Sequence, residues 1–294
     1  MWLIDVKTLK LVEFVRRPPP YAALSHTWGK EEVGFDEFRR ARHIQFWSRF
    51  RKIRATCQQA RKDGLDYAWI DTCCIDKSNN SELSEAINSM FAWYRQAEVC
   101  YAQLEDVPTV LPGDFSRPFS PFGRSRWFRR GWTLQELIAP RRVEFYDARW
   151  RMIGEKHDLA DELEAITGIG SDTLRDKTSM HLISLGRRMS WATDRETTRP
   201  EDLAYSLLGI FDVQMPLIYG EGAEKSFLRL QHHILEQDGD DDTLFAWRSR
   251  GVQALSIQLA LGNNWHKSRS KSSHLSRPSV WLRDCVDPCC WQRA

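Results

Sequence analysis

A chain of 294 residues with 42% hydrophobic and 28% charged residues has the length and apolar content to bury a core, which excludes wholesale disorder. Its net charge of +2 produces no strong field, so nothing in the charge calls for a nucleic-acid partner and none is expected. No apolar run approaches the ~18 residues of a membrane span, and Cys at irregular spacing read as free thiols of a reducing, cytoplasmic compartment.

The first segments alternate as β-strands do. WLIDV (2–6) and LKLVEFV (9–15) are predicted to form a hairpin. Asp5 interrupts the N-terminus where a signal peptide needs an apolar stretch. The Pro18-Pro19-Pro20 run breaks regular structure and leads into YAALS (21–25), a short apolar strand. A basic helical stretch near 47–62 ends at Asp63-Gly64 and is followed by a second apolar strand, YAWID (67–71). Asn79, with Glu82 three residues on, signals a helix start. Leu83, Ile87, Met90, Phe91 and Tyr94 then share one helical face. VCYAQLE (99–105) is the next strand, 108–126 reads as a loop, RGWTLQEL (130–137) as a short amphipathic helix, and VEFYD (143–147) as a fourth apolar strand. Strands alternating with helices at this spacing predict an α/β fold with a mainly parallel sheet and flanking helices.

The remainder is more helical. Leu159, Leu163 and Ile166 form a stripe closed by Gly168. Pro200, Glu201 and Asp202 open a helix through Leu203 and Leu207, with Gly209 as its expected end. Phe227, Leu228, Ile234 and Leu235 stripe a further helix. The periodicity stops after Trp247. The expected organisation is an α/β domain over 1–150, a helical C-terminal extension packed on it over 151–247, and a disordered tail over 248–294. A zinc site from His274, Cys285, Cys289 and Cys290 lacks paired spacing, so no metal site is expected.

Ligands of open parallel sheets bind beyond the carboxyl ends of the strands. YAALS runs there into Ser25, His26, Thr27, Trp28 and Gly29, and YAWID into Asp71, Thr72, Cys73 and Cys74. The glycine permits close backbone approach, and Trp28 offers a stacking face. The competing reading has Ser25, Thr27 and Asp71 capping helices and Trp28 filling core. Glu136 shares a helical face with Trp132, which sets a carboxylate beside an aromatic ring. There it would stabilise an oxocarbenium-like transition state or hold ribose hydroxyls. Its alternative is a surface pairing with Arg129 or Arg130. A thiol–imidazole pair of His26 with Cys73 or Cys74 is a third, weaker chemistry.

Three blocks, YAALSHTWG, GLDYAWIDTCCIDKSNNSELSEAINSMFAWYRQAEVCYAQLEDV and SRWFRRGWTLQELIAP, together resemble the fungal heterokaryon-incompatibility (HET) domain over about residues 21–140. RRMSWATDRETTRPEDLAYSLLGIFDVQMPLIYGEGAEKSFLRLQHHIL is similar to the segment that follows this domain in many fungal members. The resemblance implies a role in non-self recognition: an effector that triggers growth arrest and cell death, working as a homo-oligomer or with other incompatibility proteins. A non-catalytic, self-associating adaptor is the alternative. HET domains are distantly similar to TIR domains, which implies a flavodoxin-like fold and, in the enzymatic TIR members, cleavage of NAD⁺ at the nicotinamide glycosidic bond. In that comparison Glu136 is the catalytic residue. Ser25, His26, Thr27, Trp28, Gly29, Asp71 and Trp132 form the nucleotide site. NAD⁺ is then a substrate, and no prosthetic group is implied.

Overall fold

A computed structural model describes residues 1–29, 31–41, 48–109, 120–178, 180–237 and 242–245. The expected tail, with its Cys and His residues, lies outside them. Strands β1 (Trp2–Asp5) and β2 (Lys10–Glu13) pair antiparallel as the expected hairpin. Its turn is held by the Asp5 carboxylate, which accepts the Lys7 and Thr8 N–H groups at 2.9 and 2.7 Å. Four apolar runs become β3 (Tyr21–His26), β4 (Tyr67–Ile70), β5 (Val99–Gln103) and β6 (Val143–Tyr146). β3, β5 and β6 are buried along their whole length, and β4 along all but its first residue, as strands covered on both faces must be.

The sheet has seven strands in the order β2-β1-β4-β3-β5-β6-β7. β4, β3, β5 and β6 run parallel, and the hairpin and β7 (Met152–Glu155) flank them antiparallel. Numbered by occurrence, the parallel strands stand second, first, third, fourth. This doubly wound order reverses direction between β3 and β5 and opens a crevice at their carboxyl ends. β7 was not anticipated from the sequence. It is a short edge strand with no fully buried residue, and Gly154 interrupts any alternation.

The flanking helices are α1 (Phe35–Arg40), α2 (Arg51–Lys62), α3 (Asn80–Gln96), α4 (Thr133–Ile138), α5 (Ala160–Thr167), α6 (Ser171–Leu174), α7 (Leu185–Ser190), α8 (Asp202–Tyr205) and α9 (Ala223–Gln237). α3 starts as its sequence signals: the Asn79 side chain accepts from the N–H groups of Ser81 and Glu82 at 3.1 and 3.3 Å. α2 and α5 are followed by Gly64 and Gly168 at φ of +77° and +71°, positions that suit a residue without Cβ.

Two expectations change. Residues Arg126–Arg129 form a 3-10 turn with Trp127 and Phe128 buried, where the sequence ends a loop at 126 and assigns 127–129 to no element. Gly209 does not end a long helix. α8 closes at Tyr205, and Gly209 sits inside a following 3-10 turn against α3, where a Cβ would fall 2.0 Å from the Phe91 Cβ. Close approach of two elements, not chain reversal, is what demands glycine there.

Candidate functional site

β3 delivers Ser25 and His26 to the crevice, and its register sets them beside Ala102 and Gln103 of β5. α4 lies across that end. Glu136, only 4% exposed, accepts a hydrogen bond from the Ser25 hydroxyl, and the Ser25 Oγ accepts the Trp127 indole N–H at 2.8 Å. The two features that the sequence singles out, 111 positions apart, therefore meet directly. The surface pairing of Glu136 with Arg129 or Arg130 is not what the structure adopts. Nor do Ser25 and Asp71 cap helices: Ser25 lies within β3, and Asp71 accepts the Trp28 indole N–H at 2.8 Å. Trp28 is 47% exposed, so it is not core.

Burial, reinforced by the charge of Asp71, pushes the Glu136 carboxyl up to about 8, against the Ser25 and Tyr94 hydroxyls and the Arg195 charge, which favour ionisation. Burial likewise pulls Arg195 down to about 9, with Glu136 opposing. Arg195 holds α4 from beneath. Its guanidinium donates to the Arg130 carbonyl at 2.7 Å, to Thr133 Oγ1 at 2.9 Å and to the Trp191 carbonyl at 3.2 Å. The chain entering α4 is clamped by a parallel bridge between Arg130 and Glu196. At Gly131 a Cβ would meet Thr197 Cγ2 at 2.5 Å.

Above Glu136 lies a cavity of about 240 Å³. Of the expected site residues, His26, Trp28, Asp71, Trp132 and Glu136 line it, whereas Ser25, Thr27 and Gly29 do not. Ser25 stands behind Glu136 as its hydrogen-bond partner. Thr27 is buried with its hydroxyl unpartnered. The Gly29 N–H donates to Glu32 at 2.7 Å. His26 is held between two carboxylates, its Nε2 3.5 Å from Glu32 and its Nδ1 3.9 Å from Asp71. Glu32 is held low: burial, which raises it, is outweighed by His26, the Gly29 N–H and Lys52.

Sequence reasoning missed the rest of the lining. Ile75, Leu83, Ile87 and Met90 form an apolar wall, and Lys77, Arg130, Thr198, Arg199, Asp202 and Tyr219 supply polar groups. Asp202 accepts the Tyr219 hydroxyl at 3.0 Å and is also hydrogen-bonded by Trp132. Each cavity tryptophan is thus tied to a carboxylate: Trp28 to Asp71, Trp132 to Asp202. The Arg199 guanidinium lies 4.3 Å from the Tyr219 ring centre. Arg130 donates to Thr198 Oγ1 at 3.1 Å. Pro200, Glu201 and Asp202 carry a signal as a helix start. Nothing local tied it to Trp132.

The arrangement suits a ligand with a flat ring, hydroxyls and negative charge. Trp28 and Trp132 offer faces, the carboxylates accept hydroxyl protons, and three cations line the same space. The thiol alternative fails on burial: Cys73 and Cys74 are enclosed, and desolvation raises the Cys73 thiol, the reverse of what a thiolate nucleophile needs. Among the described residues no group of His, Cys, Asp and Glu is arranged to hold a metal, and no helix is long and apolar enough to cross a membrane.

Comparison with known proteins gives two matches. Residues 21–110 match the family described as heterokaryon incompatibility protein (HET). Vegetative incompatibility protein HET-E-1 of Podospora anserina is 49% identical over 226 residues, which span 75% of this chain and 16% of that protein. The chain therefore corresponds to about a sixth of the length of this curated relative. No solved structure matches it.

Proposed function

The chain carries a heterokaryon incompatibility (HET) domain at residues 21–110, and on that premise we propose that it is an incompatibility effector that triggers cell death by cleaving NAD⁺ at the nicotinamide glycosidic bond. One observation carries this reading: the buried Glu136 and the aromatic, cationic lining of one crevice face the same 240 Å³ space.

In the proposed reaction the bond between ribose C1′ and the nicotinamide nitrogen breaks. Nicotinamide leaves with the bonding pair, and an oxocarbenium-like cation develops on the ribose. Water adds to it and releases a proton, leaving ADP-ribose. Glu136 supplies the negative charge that stabilises the cation. Because burial keeps its carboxyl near 8, the pyridinium charge of the incoming substrate favours loss of that proton at the moment it is needed. Ser25 and Trp127 hold Glu136 in place. Trp28 and Trp132 pack on the rings, and Arg130 and Arg199 meet the phosphates. Self-association, or assembly with other incompatibility proteins, brings the domain to working concentration.

The test is nicotinamide release from NAD⁺ by concentrated, crowded protein, followed by chromatography. Glu136→Gln, which keeps the shape and removes the charge, is expected to lose at least about a hundredfold in rate. Release at the wild-type rate in the variant would remove Glu136 from the mechanism. No release by either protein under oligomerising conditions would favour the adaptor reading, in which the domain recruits a partner and performs no reaction.

A further inference from the structure

One face of Trp28 is already in use. Its indole N–H is fixed on Asp71 at 2.8 Å, which sets the plane of the ring, and the Lys77 ammonium lies 3.8 Å from the ring centre. Lys77 is an exposed residue on the turn after β4. That turn is anchored by Asp76, whose carboxylate accepts the N–H and the hydroxyl of Ser78 at 2.9 and 2.6 Å. The backbone of Lys77 is therefore placed, and its side chain lies over Trp28, where burial of the ammonium lowers its proton affinity. Its ammonium forms no ion pair among the described residues; Asp71 and Glu32 attract it only at longer range. It rests against the ring because an ammonium is drawn to an aromatic face.

A positively charged ring entering the cavity is drawn to that face for the same reason. Resting on the proposed nucleotide reading, we propose that Lys77 is a specificity-determining residue. Its ammonium occupies the seat on Trp28 that the cationic ring of the ligand takes, so the two compete. Displaced, it carries its charge toward the ligand's phosphates. The cavity thus trades one cation for another, and ligands lacking either a cationic ring or a phosphate gain only half of the exchange. A purely structural Lys77–Trp28 contact would contribute to stability without altering which ligands bind.

The experiment is a set of titrations of the whole chain, read by tryptophan fluorescence, with N-methylnicotinamide methylated at the ring nitrogen (a cationic ring), nicotinamide (its neutral counterpart) and ADP-ribose (phosphates without the cation). Lys77→Met is expected to bind N-methylnicotinamide about two- to fivefold more tightly, the size of an exposed cation–aromatic contact. Nicotinamide should be unaffected, and ADP-ribose should bind more weakly. Lys77→Arg, which keeps the charge, should behave as wild type. Unchanged or weaker binding of the cation to Lys77→Met would overturn the proposal, even if Glu136-dependent release of nicotinamide persists. If the wild type binds neither N-methylnicotinamide nor ADP-ribose, the nucleotide reading itself fails and this proposal falls with it.

Discussion

Glu136 illustrates how far one residue's chemistry depends on its surroundings. In water its carboxyl would ionise near 4.5; on α4, burial and the Asp71 charge lift it to about 8. The folded state thus binds a proton more tightly than the unfolded chain. The stability this contributes is fully present below about 4.5 and is lost as pH rises through about 8, a change of up to about 5 kcal/mol. Glu136→Gln has no proton to lose. Thermal unfolding should therefore place the variant several degrees above wild type at pH 8.5, with the two converging near pH 5. Parallel melting curves at both pH values would contradict this origin of the shift. The same titration should appear in the proposed cleavage, with kcat/KM for NAD⁺ rising through about pH 8 and kcat titrating lower, since bound substrate favours the ionised form.

At the scale of elements, positioning is done by short-range devices that the sequence shows well and close approaches that it shows poorly. The Asn79 cap and the glycines after α2 and α5 follow from local rules, because each is satisfied within a turn of chain. The packing of α3 on the 208–210 turn is different. Gly209 looks like a helix end in the sequence, yet it permits the turn to lie against Phe91. Gly209→Ala should destabilise the protein by about 1–3 kcal/mol in urea denaturation, as overpacking does. An unchanged midpoint would mean that α3 and the turn can separate at no cost. α4 is similarly dependent on distant segments. Arg195 and the Arg130–Glu196 bridge hold its start, and the Lys156 ammonium, itself lowered by burial to about 8, donates to the Pro140 carbonyl just past its end.

At the scale of the whole molecule, the cavity belongs to no single stretch of sequence. Its lining comes from the end of β3 and the turns after β3 and β4, from α3, from residues 130–136 and from residues 198–219. A chain ending at residue 150 would lack Arg195, Arg199, Asp202 and Tyr219 and would expose the surface that the 208–210 turn covers on α3. It is expected to lose cooperative thermal unfolding and all binding of ADP-ribose. A sharp transition with retained affinity in that fragment would show that the helical extension is dispensable.

By itself the sequence determined what neighbours along the chain decide. Apolar runs made the parallel strands, capping residues started and stopped helices, and polar turns at strand ends marked His26, Trp28 and Asp71. The pairing of Trp132 with Glu136 on one helical turn was legible for the same reason. Tertiary structure alone decided that Ser25 stands behind Glu136 rather than in the cavity, that Lys77, Arg130, Arg199, Asp202 and Tyr219 join the site, and that β7 closes the sheet. The physical reason is range. Helix and strand preferences are set by contacts within a few residues, whereas desolvation, cavity shape and the pairing of charges depend on segments far apart in the sequence, 111 positions apart for Ser25 and Glu136. Glu136 carries the proposed chemistry only because those distant segments take it out of water.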